Sequence, residues 1–354
     1  MAAAFRWAVV GIGRHSRLYV IPAISASAEG ELAALVTSRA DSARRFAEPF
    51  GAPRIHSSYE DALADTEVDG VFLVTPNDVH RAQVEAAAAA GKHVLCEKPL
   101  ATSVEDAAAM VSACREAGVV LGAGFHLRHN MVHEHARALI RSGRIGEVRF
   151  ASVRYAHATA KKPGGTAPAS DAEIPPVAAW RKDPEVAGGG AFVGTGSHAI
   201  DILRFLTDAE LETVEAVADG AARAEGGLVF VAKLRGGAIA TVHGGDLPFP
   251  VNETTISGTA GSITCRGSVG NVGGGTLTVV DADGEEDWTP PTHDVYVREV
   301  DSFVAAVREG HEADASGLDG LRCQEAIEAV YASVAAGGGT KVEHALDDTN
   351  QVKE

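Results

Sequence analysis

Along the first third of the chain, short apolar runs alternate with longer stretches whose apolar positions recur every three or four residues. The runs at residues 5–10, 31–37, 70–75, 93–96 and 119–123 are largely apolar, as strands buried on both faces are. Between them, stretches 16–26, 41–50, 78–90 and 104–117 carry Ala, Glu and Arg with helical spacing. Strands alternating with helices imply parallel strands joined by crossovers, so the pattern predicts a doubly wound α/β sheet.

After residue 124 the period changes. A helix over 133–142 and a strand over 147–157 lead into a long loop that holds residues 161–165 and Pro175-Pro176. Gly188-Gly189-Gly190 then turns the chain into a helix over 195–206. Segments 212–220, 228–234, 238–243, 253–258 and 262–265 alternate apolar with polar residues between Gly-containing turns. They predict a large, mostly antiparallel sheet with one open face. Residues 270–275 read as a mobile glycine-rich loop, and amphipathic helices at 295–308 and 318–335 close the chain. The expected organisation is two domains, residues 1–125 and an α+β unit at 126–354, which suits a chain of 354 residues.

Composition narrows the function classes. A 45% hydrophobic and 22% charged chain is ordinary for a globular protein. The net charge of −17 opposes a nucleic-acid partner, which needs a cationic surface. It leaves room for an anionic cofactor in a local pocket. Cys96, Cys114, Cys265 and Cys323 form no C-x-x-C pair, which suits reduced thiols better than a disulfide framework or a zinc ribbon. Residues 1–7 lack the apolar core of a signal peptide, and no run of about 18 apolar residues offers a membrane span. A soluble, cytoplasmic protein is expected.

The first strand runs into Gly11-Ile12-Gly13-Arg14-His15-Ser16. The two glycines fit a G-x-G-x-x-G turn, which lets a dinucleotide pyrophosphate approach a helix N-terminus. Ser16 replaces the third glycine. In this setting the motif predicts a Rossmann domain, with Gly11, Ile12, Gly13 and Arg14 at the cofactor. At the end of the second strand stand Thr37-Ser38-Arg39, with no carboxylate before Asp41. Ser38 and Arg39 suit a ribose 2′-phosphate, so NADP is favoured and NAD remains open. The alternative for Arg39 is a solvated helix start.

Two further segments carry a family resemblance. One is Thr75-Pro76-Asn77-Asp78-Val79-His80 followed by residues 90–99, ending Cys96-Glu97-Lys98-Pro99. The other is Trp180-Arg181, then Gly188-Gly189-Gly190 and Gly196-Ser197-His198-Ala199-Ile200-Asp201. With the closing Asp319-Gly320-Leu321, the chain closely resembles the glucose–fructose oxidoreductase and inositol dehydrogenase family (Gfo/Idh/MocA). The resemblance implies a nicotinamide at an interdomain cleft and hydride transfer to or from a sugar, a polyol or a related small molecule. It makes Lys98 and His198 catalytic, and places Thr75, Pro76, Asn77, His80, Glu97, Lys98, Trp180 and Arg181 at the cofactor. It also implies a homodimer or homotetramer assembled through the C-terminal sheet.

Relatives that act as dehydrogenases often carry Asp four residues before the histidine, where this chain has Gly194. That departure keeps a second reading open, a non-catalytic NAD(P) and sugar sensor of the same fold. Asp201, on the same helix face, is a candidate support for His198, with a structural role as the alternative. His80 has packing or capping of its own helix as an alternative. His126, His129, His133 and His135 crowd one stretch, but without H-E-x-x-H or a nearby Cys they do not make a metal motif. Of that stretch His126, Arg128 and Asn130 are candidates either for substrate contact or for pinning the domain junction.

Overall fold

The computed structural model describes residues 3–51, 53–158, 179–247 and 250–346. The first sheet contains β1 (Phe5–Val10), β2 (Gly30–Val36), β3 (Arg54–His56), β4 (Gly70–Leu73), β5 (His93–Cys96) and β6 (Leu121–Ala123). All its pairings are parallel, in the order β3-β2-β1-β4-β5-β6. Helices α1 (Ile21–Ala26), α2 (Ala40–Ala47), α3 (Tyr59–Ala64), α4 (His80–Ala89) and α5 (Val104–Ala117) make the crossovers. This is the doubly wound arrangement that the alternation predicts. The crossover through β3 and α3 is additional. Its strand is three residues long and has no fully buried residue, so it leaves no apolar run to read.

The second sheet begins with β7 (Val148–Ala158) and continues with β8 (Leu211–Ala218), β9 (Gly227–Leu234), β10 (Ile239–Leu247) and β11 (Val251–Gly258). It is completed by β12 (Gly261–Arg266), β13 (Thr276–Asp281), β14 (Gly284–Trp288) and β15 (Thr340–Lys341). Its order is β14-β13-β12-β11-β7-β10-β9-β8-β15, antiparallel except for β7 beside β10. Strands β13 and β14 went unread. Leu277 and Val279 do alternate inward in β13, whereas β14 is an acidic edge with no apolar rhythm.

One face of this sheet is covered by α6 (Met131–Arg141), α8 (Ala191–Thr207) and part of α10, while the short α7 (Pro184–Ala187) packs on the turn at Asn77–Val79. The last two helices, α9 (Val295–Glu309) and α10 (Gly317–Ala336), also return to the first sheet. Phe303 of α9 packs on Phe5 and Trp7 of β1, with ring centroids 6.3 and 5.2 Å apart, and Leu321 of α10 joins the core beneath α4 and α5. Residues 126–354 are therefore not self-contained in packing.

The expectation of a mobile loop at 270–275 needs correction. Gly270 O accepts from His126 Nε2, Gly274 O from Asn130 Nδ2, and Asn271 Oδ1 from the Tyr296 hydroxyl. Glycines permit the backbone path, and side chains from the neighbouring elements hold it. Residues 161–165 and Pro175-Pro176 lie outside the described residues.

Candidate active site

The cofactor loop is shaped by its two glycines in different ways. Gly11 has φ +92°, and a Cβ there would lie 2.6 Å from the carbonyl oxygen of Val74, so the bend against β4 requires glycine. A Cβ on Gly13 would meet nothing within 4 Å, which leaves that side open to a phosphate. Ser16 is buried and its hydroxyl donates to Gly13 O at 3.1 Å. Serine thus ties the loop to a π-helical turn, Ser16–Val20, that leads into α1. Ile12 and Arg14 are partly exposed beside it. Ser38 and Arg39 are exposed at the end of β2, where the Arg39 amide donates to Thr37 Oγ1. Among the described residues neither Arg14 nor Arg39 has a carboxylate partner, so both cations are available to an anion. These features fit a dinucleotide phosphate.

Beyond β4, Thr75 Oγ1 donates to Gln83 and Pro76 leads into a single helical turn, Asn77–Val79. Asn77 Nδ2 donates to Ala187 O across to the second domain, which makes it a bridge between domains. His80 is fully buried, with Nδ1 against Leu100 O and Nε2 against Thr75 O. Its enclosure removes it from the cofactor surface: the ring packs the start of α4, the alternative left open above.

The end of β5 presents Glu97 and Lys98. Lys98 Nζ donates to Gly194 O at 3.1 Å. Gly194 lies one turn before His198 in α8, so this bond ties Lys98 to the helix that carries His198. Burial draws the Lys98 ammonium down to about 8, with Glu97 opposing and the nearby Arg181 adding to the effect. Burial also disfavours charge on Glu97, but His15, Lys98 and His126 outweigh it and hold the carboxylate at about 2. His15 Nε2 meets Glu97 Oε1 at 2.8 Å.

His198 is buried in α8, and its proton affinity is pulled well below normal by burial, then by Lys98 and the neighbouring histidines. Neither ring nitrogen has a hydrogen-bond partner among the described residues, and Nδ1 is shielded from solvent. His126 sits edge-on to it at 5.0 Å and stacks on Tyr296 at 4.4 Å. Tyr296 in turn stacks on Tyr19 at 5.2 Å, and Tyr155 lies 6.1 Å from His198. An aromatic wall therefore faces Lys98.

Asp201 does not support His198. It accepts bidentate bonds from Arg128 at 2.6–3.0 Å. Arg128 also pairs with Asp319, which takes Arg204 and forms a capping box with Ser316 at the start of α10. Arg128 thus pins the junction. Asn130 does the same by capping α6 and binding Ser268 O and Gly274 O. The crowded histidines disperse: His126 joins the cleft and His133 bonds Leu127 O and Ser268 Oγ. His129 is buried and His135 packs on Trp288 at 4.5 Å. Trp180 and Arg181 occupy a helical turn, with the guanidinium 4.7 Å above the indole.

Sequence reading missed His15 and Tyr296. His15 stood in plain view as a variable position of the glycine motif. Tyr296 was hidden in a helix whose periodicity reports only packing.

Two family models cover most of the described chain. Residues 5–125 match an oxidoreductase family with an NAD-binding Rossmann fold, and residues 133–264 match the GFO/IDH/MocA C-terminal domain. The chain belongs to the Gfo/Idh/MocA oxidoreductase family. A 1,5-anhydro-D-fructose reductase of Ensifer adhaerens is 33% identical over 348 residues, 96% of this chain and 99% of that protein. D-xylose 1-dehydrogenase (NADP(+)) 2 of Haloferax volcanii is 30% identical, covering 94% and 97%. Among solved structures, aldose–aldose oxidoreductase of Caulobacter crescentus complexed with glycerol superposes with a TM-score of 0.84. It is 25% identical and covers 96% of this chain and 100% of that one. This member of the Gfo/Idh/MocA family is an NAD(P)-dependent oxidoreductase, and no helix among its described residues is long and apolar enough to cross a membrane.

Proposed function

We propose that the enzyme interconverts a hydroxyl and a carbonyl on a carbohydrate-like small molecule, with Lys98 acting on the substrate oxygen and His198 assisting. The observation that carries this reading is the Lys98–Gly194 bond, which sets the amine beside the helix turn bearing His198. The bound nicotinamide supplies or accepts the hydride. In the oxidising direction the neutral amine of Lys98 takes the hydroxyl proton as the C=O bond forms; in reduction the ammonium returns it. A proton affinity near neutrality lets one lysine serve both directions. His198, kept neutral and unpartnered, is free to hold a substrate hydroxyl. The named activities of the sugar-acting relatives agree with this substrate class.

NADP is the proposed preference, supported by Ser38 and by the unpaired Arg14 and Arg39. Assembly as a homodimer or homotetramer is proposed through the open face of the second sheet. There Phe150, 60% exposed, pairs in register with Ile239, and Val217, 74% exposed, pairs with Val229. Such a patch favours a partner, and light scattering reads the assembly size.

The deciding experiment follows reduced-nicotinamide absorbance with sugars, polyols and small aldehydes, using NADP and NAD in parallel. Turnover with NADP preferred is expected. Tight cofactor binding without turnover across the panel would favour the sensor reading that the absent carboxylate at Gly194 keeps open.

A further inference from the structure

His15 is not among the residues that the family resemblance singles out, yet it reaches into the centre of the cleft. It stands at the start of the cofactor helix, and its ring packs against Tyr19 at 5.2 Å and edge-on to Tyr296 at 5.5 Å. These contacts point Nε2 at Glu97 Oε1, 2.8 Å away. The other carboxylate oxygen of Glu97 accepts from the Lys98 amide at 3.2 Å. Glu97 is therefore held from both sides, by a side chain from the glycine motif and by the backbone of the lysine itself. An ionised carboxylate only accepts, so His15 must be the donor.

We propose that His15 is a positioning residue of the reaction: by holding Glu97 it sets how readily Lys98 binds and releases its proton. Glu97 is the main group favouring the ammonium form of Lys98, against burial and the repulsion of Arg181. A donor on Glu97 weakens that pull, and its loss strengthens it. The other groups facing this pair are His126, His198 and His157, all with depressed proton affinities, and the buried thiol of Cys323. Tyr19 and Tyr296 flank His15. Glu299, one turn beyond Tyr296, is enclosed without a partner among the described residues, and burial raises its proton affinity well above the usual carboxylate range. Of these neighbours only His15 hydrogen-bonds the Glu97 side chain from another element.

The inference rests on the reading of Lys98 given above, so its test does not depend on turnover. The rate at which acetic anhydride labels Lys98 is followed against pH by peptide mass spectrometry, which gives a midpoint for the amine. His15→Phe is expected to raise that midpoint by about one pH unit, with the melting temperature confirming a folded protein. If Phe prevents folding, His15→Ala carries the same expectation without crowding Tyr19 and Tyr296. In a Glu97→Gln background the His15 substitution should shift nothing further, because the carboxylate that transmits the effect is gone. His15→Gln, which keeps an N–H for Glu97, should return the midpoint part of the way.

A folded His15 variant with an unmoved midpoint would overturn the inference. So would an equal shift in the Glu97→Gln background. A wild-type protein that turns over no substrate, but whose Lys98 midpoint still depends on His15, would sink the proposed function and leave standing the control of Lys98 by His15, without its role in a reaction. Where turnover is found, the pH limb of kcat/KM should move upward with the labelling midpoint.

Discussion

His80 and His133 are as deeply buried as His126 and His198, and the two pairs differ in where their ring nitrogens go. Each nitrogen of His80 and His133 meets a carbonyl or hydroxyl oxygen supplied by the fold. In the cleft, among the described residues, His126 has one nitrogen engaged and Nδ1 orphaned, and His198 has neither engaged. Burial of an unmade hydrogen bond costs about 1–3 kcal/mol. His133 avoids that cost and His80, with one N–H between two carbonyls, avoids it at one nitrogen, whereas among the described residues the cleft leaves three ring nitrogens open next to Lys98. Depth alone therefore does not separate a structural histidine from a binding one; unfinished hydrogen bonding does.

The largest effect expected is on the group that the cleft surrounds. Lys98→Ala should lower kcat by about a thousandfold, within the usual range for a lost acid–base group, while cofactor affinity by fluorescence titration changes little. Unchanged turnover would strip the cleft of its chemistry and reduce the contrast to packing. Arg128 stands between the two regions, and Arg128→Met should cost about 3–5 kcal/mol in chemical denaturation by stranding buried Asp201. A loss below 1 kcal/mol would show that the junction does not depend on that pair.

The histidines themselves sharpen the contrast. His198→Asn should reduce kcat/KM by about ten- to a hundredfold with little change in melting temperature. His133→Ala should do the opposite, lowering stability by about 1–3 kcal/mol and leaving the kinetic constants of the remaining folded enzyme close to wild type. Equal effects from both substitutions would erase the distinction.

The smallest effect is a slope. Burial holds His133 and His129 down to about 4 and His126 to about 3, whereas the unfolded chain takes up those protons near the ordinary histidine value of about 6.5. Between these limits the unfolded state binds more protons, so stability is expected to fall as pH drops from about 6.5 towards 4. Denaturation midpoints at several pH values measure it, and His133→Ala should flatten the slope.

The first sheet was readable because its strands are buried on both faces: Gly70 to Leu73 are all enclosed, and such a run admits few other assignments. The glycine loop was readable because a bend against a neighbouring strand leaves glycines at fixed spacing, whereas Lys98 was singled out only through the family resemblance of its E-K-P setting. Asp201 was left between two roles because helical spacing places it near His198, and only the fold reveals Arg128 arriving from 73 positions away to claim it. Tyr296 was beyond reach for the same reason: its value lies in stacking on a histidine from a distant turn. Glu97 was assigned to the cofactor, and its bond to His15 depends on how β1 and β5 are spaced in the finished sheet.

The return of α9 to the first sheet bears on how the chain is made. Phe5 and Trp7 lie in a strand made long before α9, but their cover includes Val300, Phe303 and Val304 of that helix. During translation the nascent first domain must wait with part of its apolar layer uncovered, a stage at which chains are prone to associate wrongly. The apolar layer over β1 is thus closed only once α9 has been made.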